Sequence, residues 1–225
     1  ILTSAETDQS QYGIQTGNQG KNGDASGLTI TISGNTIDVE DRAIWANFHG
    51  ENGPEVEISD NTATATVPLQ IESMPEETGL ITVSGGNEFT ADEVSSTCCG
   101  GLNFFGRGIL VQDSDAPVEI IGNTITATNG DANPLDGISG IDLFNASVDL
   151  IDGVSFGTVE GFAVSVIRDF NGASELGALS GYDGSFDFSG VPLAADVLFV
   201  DAASSARVIE NDLSGTDASS GTFGG

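Results

Sequence analysis

An all-β solenoid, a stack of strand-built coils, is the fold this sequence predicts. Three observations predict it: a short phrase with a shared asparagine recurs, a second apolar alternation follows each copy, and helical periodicity is nearly absent. The chain has 225 residues, with 31 Gly and 38% apolar residues. Glycine is about twice its usual share of roughly 7%, yet the apolar fraction suffices for a packed core.

The phrase reads Ile-Thr-Ile-Ser-Gly-Asn-Thr-Ile at 30–37 and Val-Glu-Ile-Ser-Asp-Asn-Thr-Ala at 56–63. It returns as Thr-Val-Ser-Gly-Gly-Asn-Glu-Phe at 82–89, Val-Glu-Ile-Ile-Gly-Asn-Thr-Ile at 118–125 and Arg-Val-Ile-Glu-Asn-Asp-Leu at 207–213. The shared residue is Asn35, Asn61, Asn87, Asn123 and Asn211, at intervals of 26, 26, 36 and 88. The last interval leaves room for further units. One weakened copy, Leu-Ile-Asp-Gly-Val-Ser-Phe at 150–156, sits in it with Val154 where Asn is expected.

Two strands per unit are expected. The second is seen in Ile44/Ala46/Phe48, Val67/Leu69/Ile71, Ile109/Val111, Ile141/Leu143, Phe162/Val164/Val166 and Val197/Phe199. Residues two after the shared Asn (Ile37, Ala63, Phe89, Ile125, Leu213) and three before it (Ile32, Ile58, Ile120, Val208) form apolar columns. Stacked coils require this, because each strand must find its like about 4.8 Å above and below. The one helical turn the pattern allows is 173–179, and Gly177 weakens it.

Through the (Val/Ile)-x-x-(Gly/Asp)-Asn-x-Ile phrase, residues 28–213 resemble the right-handed parallel β-helix family of pectate lyases, autotransporter passengers and phage tailspikes. The resemblance implies a right-handed parallel β-helix of about six to eight coils with side-loop insertions. It also implies that the recurring asparagines sit at a sharp turn and form a hydrogen-bonded ladder. Asn tolerates the left-handed backbone of a tight turn, and its amide bridges identical neighbours. The competing reading is a set of separate Gly-Asn hairpins.

Residues 1–27 read as an N-terminal cap or first irregular coil, and residues 214–225 as a Gly/Ser-rich tail or linker. Insertions are expected near 92–108, 126–137 and 171–192. The first two fall on the same side of neighbouring coils and make a raised rim, the usual place for recognition in a repeat fold.

The chain carries 34 acidic and 5 basic side chains, a formal charge of −29. So few cations exclude a nucleic-acid groove, which needs them to displace phosphate counterions. No apolar run reaches the roughly 18 residues of a membrane-crossing helix, so membrane insertion is not expected. The acidic excess suits a salty or calcium-rich exterior, and an extracellular or cell-surface location, the periplasm included, is expected.

Cys98 and Cys99 are adjacent, without the spacing of a zinc site. Free thiols, a vicinal disulfide and a bridge to another chain stay open. Asp131, Asn133 and Asp136 offer three oxygen donors within one insertion and are the candidate calcium ligands, although neither an EF-hand loop nor a calcium β-roll motif surrounds them. Asp38, Glu40 and Asp41 form a second acidic cluster.

No catalytic residue is assigned. A lyase needs a base, and the cations are Lys21, Arg42, Arg107, Arg168 and Arg207. Arg42 and Arg107 each stand two residues before the second strand's leading Ile and are expected on one face, with Val67 between them. His49 lacks the signatures of pectin hydrolases, and no nucleophile elbow surrounds any Ser. Tyr12, Trp45 and Tyr182 are candidate sugar-stacking residues, with Trp45 expected to pack instead. The expected role is a non-catalytic structural, adhesive or assembly module whose side loops meet a protein, another copy or a glycan. The alternative is a polysaccharide lyase or glycoside hydrolase at the loop rim, with calcium as the candidate ion.

Overall fold

The computed structural model describes residues 2–3, 12–17, 24–49, 52–75, 77–92, 106–114, 116–128, 139–144, 146–159, 162–168, 175–176, 197–201 and 207–208. Among them every regular element is a strand, and every strand pairing is parallel. Parallel neighbours in one sheet need a crossover, and crossovers of this kind are right-handed. The chain is a right-handed parallel β-helix.

Sheet 1 stacks β1 (Leu2–Thr3), β4 (Thr36–Asp38), β7 (Thr62–Ala65), β10 (Glu88–Ala91), β13 (Thr124–Ala127) and β17 (Ser155–Val159). Sheet 2 stacks β2 (Tyr12–Gln15), β5 (Arg42–Asn47), β8 (Val67–Glu72), β11 (Arg107–Gln112), β14 (Ser139–Phe144), β18 (Phe162–Arg168) and β20 (Val197–Asp201). Sheet 3 holds β3 (Thr29–Ser33), β6 (Glu55–Ser59), β9 (Ile81–Ser84), β12 (Val118–Ile121) and β16 (Leu150–Asp152). A short fourth sheet pairs β15 (Ser147–Val148), β19 (Glu175–Leu176) and β21 (Arg207–Val208).

Each full coil therefore has three strands, where alternation alone suggested two. The recurring phrase is not one strand: it bends before its asparagine, so β3 and β4, β6 and β7, β9 and β10, and β12 and β13 lie in different sheets. A second correction concerns the bend itself. The left-handed residue is the one preceding Asn: Gly34 (φ 68°), Asp60 (φ 55°), Gly86 (φ 80°), Gly122 (φ 64°) and, before Val154, Gly153 (φ 59°). A Cβ on Gly34, Gly86 or Gly122 would meet nothing within 4 Å, so glycine is favoured there by backbone conformation rather than by space. Relieved of that task, the asparagine places its carboxamide in the interior.

The four described asparagines stack. Asn35 donates from N and Nδ2 to Asn61 Oδ1 (3.1 and 3.0 Å), and Asn61 does the same to Asn87 Oδ1 (3.0 and 3.0 Å). Asn87 Nδ2 donates to Asn123 Oδ1 at 2.8 Å. Each amide is also tied to main chain: Asn61 Nδ2 reaches Ile32 O and Ser59 O, Asn87 Nδ2 reaches Ile58 O and Ser84 O, and Asn123 Nδ2 reaches Val83 O. Buried amides are thereby supplied with partners, which burial demands. The column then becomes apolar at Val154, which is buried. Asn211 lies outside the described residues.

The interior is filled by aligned columns. Ile37, Ala63, Phe89, Ile125 and Phe156 are in register through sheet 1, and Ile32, Ile58, Val83, Ile120 and Ile151 through sheet 3. Sheet 2 contributes Ile14, Ile44, Leu69, Ile109, Ile141 and Val164. Val83 rather than Ser84 continues its column because Gly85-Gly86 adds one residue before Asn87. Val208 departs from the expected column and pairs with Leu176 in the fourth sheet. That sheet branches off at Asp149, which separates β15 from β16 while its carboxylate accepts from Val118 N at 2.9 Å.

Residues 1–27, read as an N-terminal cap or first irregular coil, hold β1 and β2, and β3 completes that coil. Strands also run further into the insertions than their sequence limits suggested, since Arg107 and Gly108 open β11 while Thr126 and Ala127 close β13. In the expected helical turn, Glu175–Leu176 is strand.

Candidate functional site

One corner of the coil, between sheets 1 and 2, takes up the variation in length. β7 passes to β8 through Thr66 alone, whereas residues 92–106 join β10 to β11 and 128–138 join β13 to β14. Both long connections lead into strands of sheet 2, whose outer face period-2 alternation sets opposite the Ile44/Leu69/Ile109/Ile141 column.

That outer face carries two rows. Trp45, Gln70, Leu110 and Asp142 are in register across β5, β8, β11 and β14, and Asn47, Glu72, Gln112 and Phe144 lie beside them. Trp45 Nε1 donates to Glu72 Oε2 at 2.8 Å, and Gln70 Nε2 donates to the same oxygen at 3.0 Å. Arg42 Nε donates to Gln70 Oε1, and its Nη1 reaches Tyr12 Oη at 3.3 Å. The guanidinium also lies 4.9 Å from the Trp45 ring centroid and 5.5 Å from that of Tyr12. Cation–π attraction thus adds to the hydrogen bonds. Trp45 is only 6% exposed, with its ring 5.1 Å from Tyr12, so it packs rather than offering a bare stacking surface.

Two coils further on, Arg107 pairs with Asp142 through Nε and Oδ2. Asp142 is 1% exposed, so this partner offsets the cost of burying its charge. Arg107, Leu110, Gln112, Asp142 and Phe144 line a small concavity of about 130 Å³ that opens to solvent. Its floor combines apolar surface with an amide and an ion pair. Such a surface suits a ligand with both apolar and hydroxyl or amide faces.

The sequence-selected residues distribute as follows. Arg42 and Arg107 occupy one register position of sheet 2, with Val67 between them. His49 is exposed beyond the end of β5. Arg168 ends β18 and Arg207 opens β21. Lys21, Cys98, Cys99, Asp131, Asn133, Asp136 and Tyr182 lie outside the described residues. Gln70, Glu72, Gln112, Asp142 and Phe144 were not singled out from the sequence. The available signal was their position one residue out of phase with the sheet 2 apolar column.

Asp92 has its carboxyl pushed up, chiefly by burial and further by the charge of Asp38. Asp24, by contrast, is held below the usual carboxylate range by hydrogen bonds from the Ser26 hydroxyl and main-chain N–H. Among the described residues no three Asp, Glu, His or Cys side chains converge on a metal position, and no helix is long and apolar enough to cross a membrane. Comparison with family models, curated proteins and solved structures finds no match.

Proposed function

We propose that the chain is a non-catalytic β-helix module of a cell surface or extracellular assembly, which meets its partner on the outer face of sheet 2. A glycan is the partner class favoured. The observation that carries this reading is the concavity lined by Phe144, Gln112, Leu110 and the Arg107–Asp142 pair. It lies on the two strands into which the long connections lead. An aromatic ring, an amide and paired charges are the groups that hold the faces and hydroxyls of a sugar. The charge of −29 favours a neutral or cation-bearing partner over an anionic one.

Binding of neutral oligosaccharides, measured by calorimetry, tests the proposal. Binding weakened about tenfold or more by Phe144→Ala and by Gln112→Ala supports it. Unchanged binding in both variants refutes it. The second reading, a lyase or hydrolase of the pectate-lyase-like kind, is favoured by one observation: a carboxylate and a guanidinium line the same concavity. It requires turnover, so unsaturated products or new reducing ends, lost in Arg107→Ala and Asp142→Asn, would displace the binding proposal.

A further inference from the structure

We infer that the concavity on the outer face of sheet 2 seats the acetamido group of an N-acetylated sugar, with Asp113 as the positioning residue that makes Gln112 an acceptor. The inference rests on the glycan reading and names the chemical class within it. Size selects a single substituent rather than a ring. The concavity holds about 130 Å³, well short of the roughly 300 Å³ or more of a pocket that encloses a whole small molecule. At roughly 30 Å³ per water it has room for about four. An acetamido group, with its nitrogen, oxygen and two carbons, is of that size, whereas a hexose ring with its hydroxyls is not.

Hydrogen-bond polarity is set by Gln112 and its neighbour. Gln112 Nε2 donates to Asp113 Oδ2 at 3.2 Å. An ionised carboxylate only accepts, so the amine end of the amide is the end that turns to Asp113. The carbonyl end, Oε1, is left for the concavity that Gln112 lines. Consecutive residues of an extended strand project to opposite faces and do not meet in this way. They meet here because β11 ends at Gln112 and Asp113 takes a left-handed conformation (φ 46°), while its N–H still donates to Phe144 O at 2.9 Å. The coil before makes the same turn at Ser73 (φ 55°), whose N–H donates to Gln112 O, but it holds Glu72 and Ser73 in place of the Gln112–Asp113 pair. The turn belongs to the stack; the carboxylate on the amide belongs to the coil that holds the concavity.

The remaining walls complete the match. Leu110 and Phe144 supply apolar surface, and Phe144 is half-buried. Arg107, whose Nε pairs with Asp142, is a group with N–H donors and no acceptor. An acetamido group presents a methyl, an N–H and a carbonyl together. Its methyl suits Leu110 and Phe144, its N–H suits the Gln112 carbonyl, and its oxygen suits the guanidinium. A hydroxyl in the same place brings a donor and an acceptor but no methyl, and leaves the apolar wall wet. A carboxylate of similar size has no donor for Gln112 Oε1 and is repelled by a chain of charge −29.

The test is ligand-observed saturation-transfer NMR of the full chain with the methyl glycosides of N-acetylglucosamine, N-acetylgalactosamine, glucose and galactose. At least one N-acetyl sugar is expected to bind about tenfold tighter than its parent, with the acetyl methyl protons receiving the strongest saturation. Phe144→Ala abolishes that signal. Asp113→Asn keeps the turn, since Asn tolerates the left-handed conformation, so its melting temperature stays near that of wild type. Asn offers both a donor and an acceptor, so Gln112 is no longer held one way round and the preference for the N-acetyl sugar falls about threefold or more. An unchanged preference in this variant overturns the role of Asp113 and the polarity assigned to Gln112. Equal binding of the N-acetyl and parent sugars, lost in Phe144→Ala, overturns the inference and leaves the glycan reading standing. Saturation of none of the four sugars also overturns it, and the glycan reading then stands or falls on the oligosaccharide calorimetry.

Discussion

Replacing Asn61 by alanine removes the best-connected rung of the amide ladder. Asn35 N–H loses its acceptor, the Ile32 and Ser59 carbonyls each lose a donor, and Asn87 Oδ1 keeps only the Asn61 main-chain N–H. A stranded buried donor costs about 1–3 kcal/mol, and each weakened partner adds about 0.5–1 kcal/mol. The sum is about 2.5–6 kcal/mol. Asn35→Ala makes a contrasting control at the partly exposed end of the column. Asn61 Oδ1 still receives the Asn35 main-chain N–H there, so the loss is about 1 kcal/mol. Asn61→Asp keeps the shape and the acceptor but sets a carboxylate against Asn87 Oδ1, and is expected to cost at least as much as alanine. Urea unfolding followed by the emission of Trp45, the single tryptophan, reads all three. Should Asn61→Ala and Asn35→Ala fall within about 0.5 kcal/mol of each other, the ladder would not be a source of stability and the argument from buried amides would fail.

Three further outcomes are expected. Arg107→Ala leaves Asp142 buried and deprived of its guanidinium and should destabilise by about 3–5 kcal/mol in urea titrations, whereas Arg107→Met with Asp142→Leu should recover most of that loss. Gly122→Ala should cost about 1–2 kcal/mol from its left-handed φ alone, and Asp60→Gly should be neutral or stabilising; melting temperatures of the pair check this. Asp92 has a folded-state pKa above its unfolded value, so its contribution to stability is full at low pH and falls as pH rises through the folded value. Asp92→Asn should therefore raise the urea midpoint at pH 7, by less than about 1 kcal/mol given solvent screening, and leave it unchanged near pH 3.

Much of the fold could be read from the residues because stacking repeats the same demand in every coil. Ile32, Ile58 and Ile120, and likewise Ile37, Phe89 and Ile125, occupy equivalent interior positions, so their columns show as spacing along the chain. The turn at Gly34-Asn35 was expected from the resemblance, but a strand on each side preserves alternation, so the division of the phrase between two sheets was not legible. The site was harder still. Asp142 and Phe144 owe their setting to β11, and nothing adjacent in sequence announces that neighbourhood. Asp41 was visible as part of an acidic run, but nothing in the run showed that it is the buried one among Asp38, Glu40 and Asp41.

The ladder of coils has a mechanical corollary. Every strand pairing joins windings that are immediate neighbours, so tension applied at the two ends would load one seam at a time rather than the whole molecule. Releasing a 26-residue winding such as that between Asn35 and Asn61 frees about 90 Å of extended chain. Such a body yields length in steps, as a tether does, while the windings not yet reached keep their shape.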